Sequence, residues 1–341
     1  MAAHRVAWID AAKGIGIALI VVGHVWSMTE PSLAYQIIYG FHVPLFFLLA
    51  GLTFDPQRLP AAQTIARKAR TLLVPYLCFG LLGYASYLAG YWAAQSAGIS
   101  LGEFDHGLMR PLVGIAYGSL GDGRLANSPI WFLTGLFSAF VMLTLIHRGL
   151  AHPATRAIVI GGVFLLGLWI GPQWTLPWSL APAMLALPFM ALGMVLRQPP
   201  VAMPGLGTPG RVALIGLAAA ITALAPVNGY MQLGHGLVGH PGLYLLFAAA
   251  GSALVLLFAQ LPLRVNELMA VLGRHSLEIL VLHMLVIKTV QVVLAGVTPW
   301  SLGTLTDEWI PGLTVLALTA ISLPPLILGL KRWLPLTLGR W

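Results

Sequence analysis

Charge is what this sequence lacks. Only 8% of its 341 residues are Asp, Glu, Lys or Arg, against roughly 25% in a soluble globular domain. With 58% of the residues hydrophobic, there is too little charge to cover the apolar surface, and a soluble fold is excluded. Cysteine is almost absent as well. Cys78 stands alone, so neither an internal disulfide framework nor a CxxC metal site can form. No internal repeat and no low-complexity segment is present. No cleavable signal peptide is expected either, because the short N-terminus meets an apolar run that has no small-x-small site after it.

Long apolar runs are what it has, with a mean hydropathy of +0.88. A spanning helix needs about 20 mostly apolar residues. Ten segments qualify: 13–29, 36–54, 72–95, 130–147, 157–172, 178–196, 211–229, 242–262, 275–296 and 309–330. The expectation is an all-α, polytopic membrane protein in one integral domain over 1–341, with no appended soluble domain. Pro172, Pro177 and Pro182 crowd the fifth and sixth segments, which could form one broken hairpin. Pro188 and the Pro324–Pro325 pair predict kinks that neighbouring helices can satisfy. The outer segment 96–129 can hold a short interfacial helix near Leu108 to Tyr117.

Charge placement tests this count. With the N-terminus in the cytoplasm, Arg58, Arg67, Lys68, Arg70, Arg148, Arg156, Arg197, Arg211, Arg264, Arg274, Lys331, Arg332 and Arg340 all fall inside, as do Arg5 and Lys13. Only Arg110 and Arg124 fall outside, and Lys288 lies within the ninth segment. That is a positive-inside pattern with both termini cytoplasmic. The net charge of +8 is therefore a topology signal rather than a nucleic-acid footprint. Trp92, Trp131, Trp174, Trp178, Trp300 and Trp309 fall near outer ends, as an aromatic belt does.

The run Trp8 to His24 organises the candidate chemistry. Lys13 and His24 are eleven residues apart, so a helix puts them on one face and about 16 Å apart along its axis. A cation at the rim and an imidazole deep on the same stripe suit a base that moves a proton. Intramembrane ionisable residues are functional by default. Asp10 lies three residues before Lys13 and can pair with it. In Tyr39 to Phe54, His42 lies near the outer end and Pro44 can open a kink there. Arg67 and Arg70, on the inner loop before Leu72, share a helical face if helical and can fork onto phosphate oxygens. Ser276 and His283 share another face. Glu278 and Lys288 are expected to face the bundle interior or snorkel.

Several of these pieces recur in a known order. Asp10-x-x-Lys13-Gly14-Ile15 with Gly23-His24, Phe41-His42-x-Pro44-Leu45-Phe46-Phe47, Arg67-x-x-Arg70 before Pro75-Tyr76, Trp131-Phe132-Leu133, and Ser276-Leu277 with His283 resemble the acyltransferase-3 family. These are membrane O-acyltransferases, and the nearest likeness is to the fucose 4-O-acetylase-like branch. Lys13 stands where that family's Arg-x10-His pair has arginine, which keeps charge and loses bidentate contact. Ala50 stands where serine often precedes Gly51.

The resemblance implies transfer of an acyl group, acetyl in the first instance, from cytoplasmic acetyl-CoA to a hydroxyl of a sugar, lipid-linked glycan or polysaccharide. His24, Lys13 and Asp10 form the implied catalytic set. Arg67, Arg70 and Lys13 hold CoA phosphates, and His42, Glu30, Trp131 and His283 contact the acceptor. No metal and no nucleic acid are expected. The expected setting is the bilayer of a bacterial inner membrane, and a homodimer is one expected assembly. His24 acts as a base or carries the acyl group itself. The same ten segments also suit a secondary transporter or flippase, although internal duplication and matching half-helix breaks are not found. A non-catalytic scaffold would leave the Lys13–His24 stripe unexplained.

Overall fold

The computed structural model describes residues 6–26, 31–97, 107–121, 123–197 and 207–340. Among these residues, ten helical stretches are long and apolar enough to cross a membrane. Among the described residues the only β pairing is an isolated bridge between Gln232 and Leu237. The all-α expectation and the count of ten agree with this.

Helix α1 (Ala7–Val25) is the hub, packing on elements from both halves of the chain. Its N-terminal half crosses α11 (Arg264–Arg274) at backbone contact. A Cβ on Gly14 would lie 1.8 Å from the Met269 carbonyl oxygen, and one on Gly273 would lie 1.8 Å from that of Asp10. Lipid tails are as apolar as leucine, so helices in a bilayer associate through close packing of small residues like these.

The second span is two helices, α2 (Leu33–Tyr39) and α3 (His42–Leu52), broken at Gly40–Phe41. The sequence places the break at Pro44, but it falls just before His42. Pro44 therefore sits in the first turn of α3, where its missing N–H is no loss. The break makes His42 the first residue of a new helix. The other end of the span seals against α8 (Leu180–Leu196). There a Cβ on Gly51 would meet the Met190 carbonyl at 2.0 Å, and one on Gly193 that of Leu48 at 2.1 Å.

Helix α4 (Ala61–Ala97) has 37 residues, about 55 Å at 1.5 Å per residue. It begins eleven residues before the apolar run at Leu72. Arg67, Lys68 and Arg70 are therefore helical and not in a loop, which corrects the sequence reading. Asp55, in the turn before α4, pairs with Arg197 at 3.3 Å. The Gln57 backbone N–H beside it holds the Asp55 carboxyl below the usual carboxylate range.

Helix α5 (Met109–Tyr117) forms where a short helix is expected near Leu108 to Tyr117. Helices α6 (Trp131–Gly149) and α7 (Pro153–Ile170) follow. The fifth and sixth spans, α7 and α8, are separate helices rather than one broken hairpin. A turn at Pro177–Ser179 divides them, with Trp178 at φ 56° and Ser179 at φ 50°. Left-handed backbone costs non-glycine residues energy and persists only where surroundings impose it. Here Ser179 Oγ donates to the Gly118 carbonyl at 2.8 Å, Ser138 Oγ to that of Trp178 at 2.9 Å, and Ser119 Oγ accepts from Ser179 N at 3.0 Å.

Helices α9 (Thr208–Ala223), α10 (Pro241–Ala259) and α12 (Ser276–Val297) precede the short α13 (Leu302–Asp307) and the last span, α14 (Trp309–Trp333). Helices α8 and α14 continue through Pro188 and the Pro324–Pro325 pair. In α7 only 11% of the span is buried, against 67% around α6. The core thus lies among α1, α3, α6, α8, α10 and α12, and α7 faces lipid.

Candidate functional site

Two chambers follow one stripe of α1. The lower, about 300 Å3, has Lys13, Thr53, Lys68, Thr71 and Ser276 as its polar lining. The upper, about 140 Å3, is lined by His24, Tyr39, His42, Trp131, Gln232 and His235 among others. Ile20, Phe46, Phe132 and Leu280 line both, so they form the wall between the chambers. Phe46 and Phe132 meet there edge to face, with centroids 5.8 Å apart. Lys13, Ile17, Ile20 and His24 are spaced four, three and four, which is one face of a helix. The stripe read from sequence is thus a continuous wall of the two chambers.

The imidazoles are oriented by backbone. His24 Nδ1 is 2.7 Å from the Ile20 carbonyl oxygen, His42 Nδ1 is 2.9 Å from that of Ile38, and His283 Nδ1 is 2.9 Å from that of Ile279. A carbonyl only accepts, so each Nδ1 donates and carries the proton. In the neutral ring, Nε2 is then the lone-pair nitrogen. His24 presents its ring to the upper chamber in this state, which is what a base for a hydroxyl requires.

His283 is fully buried and sits behind His24, ring centroids 5.0 Å apart and nearly perpendicular. It does not line the chamber, and its Nε2 has no hydrogen-bond partner among the described residues. Tyr39 bridges the other two rings, 4.5 Å from His42 and 6.4 Å from His24. Trp131 stands in the upper wall. Glu30 lies outside the described residues. Gln232 and His235 enter from a turn between α9 and α10 that the sequence reading passed over. Burial holds the His235 imidazole below its ordinary value, so it is neutral at pH 7.

On the basic face, the cavity cations are Lys13 and Lys68. Lys68 Nζ lies 3.6 Å from the Phe140 ring centroid and 5.4 Å from that of Phe54, a cation–π seat that holds an ammonium at an apolar wall. Thr64 and Leu72, four residues to either side, are buried, which sets the inward phase of α4. Arg67 is exposed and, like Arg70, does not line the cavity. Arg70 Nε donates to the Gly339 carbonyl at 3.3 Å, which fastens the C-terminal segment to α4. Asp10 lies at the α1–α11 crossing, where its carbonyl meets Gly273.

Glu278, expected to face inward, is fully buried. Its Oε1 forms ion pairs with Arg340 at 3.0 Å and Lys331 at 3.3 Å. Among the described residues no group of three His, Cys, Asp or Glu side chains is placed to hold a metal ion.

A family model described as an acyltransferase domain matches residues 6–328. Comparison with the curated proteins and with the solved structures returns no match.

Proposed function

The chain belongs to the acyltransferase-3 family and is a membrane acyltransferase, and from that premise we propose that it moves a short acyl group, acetyl in the simplest case, from acyl-CoA to a sugar or glycan hydroxyl. The donor enters from the basic face, which is the cytoplasmic one. Lys13 and Lys68 hold its phosphates at the mouth as point charges, with Arg67 offering a fork farther out. The thin pantetheine arm runs along the Ile17–Ile20 wall and passes Phe46 and Phe132. Its thioester stops beside His24.

The acceptor enters the upper chamber from the opposite face. The lining supports a neutral polyol, because hydroxyl, amide, imidazole and indole groups face it and, among the described residues, no carboxylate, Lys or Arg does. His24 Nε2 takes the hydroxyl proton as the oxygen attacks the thioester carbonyl. Collapse of the tetrahedral adduct breaks the C–S bond. The proton on His24 then passes to the departing thiolate, leaving ester and free CoA. Holding donor and acceptor at one imidazole turns a two-body encounter into one step.

The carrying observation is that Lys13 and His24 open onto adjoining chambers from opposite ends. The test uses purified protein, acetyl-CoA labelled in its acetyl group, and a panel of neutral and acidic sugars. Labelled ester with equal release of CoA is expected for neutral sugars. Uptake of sugar into vesicles with no consumption of acetyl-CoA would instead identify a transporter.

A further inference from the structure

A third cavity, of about 360 Å3, lies on another side of α1 and is apolar except for His275. Ile17 and Val22 of α1 form one wall, and Leu316, Ala320 and Ile327 of α14 form the other. Val271 and Leu328, which also line it, are 42% and 67% exposed, so it opens sideways toward lipid. From Leu316 to Ile327 the helix rises about 16 Å, roughly half of a ~30 Å hydrocarbon core. The slot is as deep as one leaflet.

Cations crown its basic end. Residues three and four apart share a helical face. Lys331 follows Ile327 by four, Arg332 follows Leu328 by four, and Arg274 follows Val271 by three. Lys331 Nζ is 2.9 Å from Nδ1 of His275, which itself lines the slot. Helix α11 presents Val265, Leu268 and Val271 as an exposed apolar stripe, with Arg264 and Arg274 at its ends. Such a helix lies in the interface at headgroup depth. The nearby carboxylates do not cancel this charge. Glu278 is shared between Arg340 and Lys331, so one carboxylate stands against two cations there and Arg274 and Arg332 add to the excess, and Glu267 is two turns back from Arg274 along α11, about 10 Å away.

We infer that this slot is a binding site for an anionic phospholipid of the basic-face leaflet, one acyl chain lying between α1 and α14 and the phosphate held by Arg274, Arg332 and Lys331. Basic pockets between spanning helices bind anionic headgroups in this way. The site is separate from the donor route, and it stands whether or not the acceptor is a sugar.

Native mass spectrometry of the full chain, purified with equimolar dioleoyl phosphatidylglycerol and dioleoyl phosphatidylcholine, tests this. Wild type should retain one lipid, with phosphatidylglycerol favoured on the order of tenfold or more. Ala320→Trp fills the slot from an exposed position and should lose the retained lipid. The surface double variant Arg274→Gln/Arg332→Gln should keep one lipid but bring the headgroup preference close to unity. Equal retention of the two lipids by wild type, or no retention at all, would overturn the inference. So would an undiminished preference in the double variant, or displacement of the lipid by equimolar free coenzyme A, which would assign the cations to the donor.

Discussion

The two chambers along α1 share four wall residues and almost no chemistry. The lower carries two ammonium groups and three hydroxyls in an apolar wall. The upper carries three imidazoles, a phenol, a serine hydroxyl, an amide and an indole, with no full charge at neutral pH from its Gln, Trp or depressed His235. Ammonium groups hold an anion without fixing its orientation. Imidazoles locked by backbone carbonyls fix a proton's position instead. In the proposed reading, that difference gives donor binding to the lower chamber and chemistry to the upper, with the Phe46–Phe132 wall as the boundary.

Substitutions that treat the chambers unequally test this assignment. His24→Ala should cost the most, about 10² to 10⁴ in kcat, with donor affinity and thermal melting unchanged. Wild-type turnover in that variant would remove His24 from the reaction. Leu280→Trp narrows the boundary and should lower transfer by roughly tenfold, since small misplacements of reacting atoms are costly. Donor binding by calorimetry should persist, because the cations that hold the phosphates are untouched.

Lys13→Met with Lys68→Met should raise the donor KM about tenfold, or about 1.4 kcal/mol, and leave the acceptor KM alone. The salt dependence of the donor KM should flatten in this pair, because the screened charges are gone. Gln232→Ala should be the mildest and should raise only the acceptor KM by a few-fold, the worth of one hydrogen bond. A donor effect from Gln232→Ala would blur the division between the chambers.

Much of this was legible in residues and spacings. The Lys13–His24 stripe is visible because 3.6-residue periodicity fixes which side chains share a face once a helix is granted. Glu278 was expected to face the bundle interior or snorkel, because an ionised group facing lipid is too costly. Lys68 was overshadowed by the arginines on either side of it. The phase of α4 depends on its start at Ala61, eleven residues before the apolar run begins. Pro44 announced an interruption but not its place, since proline at the start of a helix and proline at a kink read alike. Gln232 and His235 come from a turn with no periodicity, and the partners of Glu278 come from the far end of the chain. Such contacts depend on tertiary packing, which spacing does not record.

One structure would test the account most directly: a cryo-EM map of the protein with a non-transferable thioether analogue of acetyl-CoA. The phosphates should lie against Lys13 and Lys68, the pantetheine arm should pass between Phe46 and Phe132, and the carbonyl should stand within hydrogen-bond reach of the upper-chamber imidazole. An analogue seated wholly outside the two chambers, or with its acyl end held below the phenylalanine pair, would contradict it.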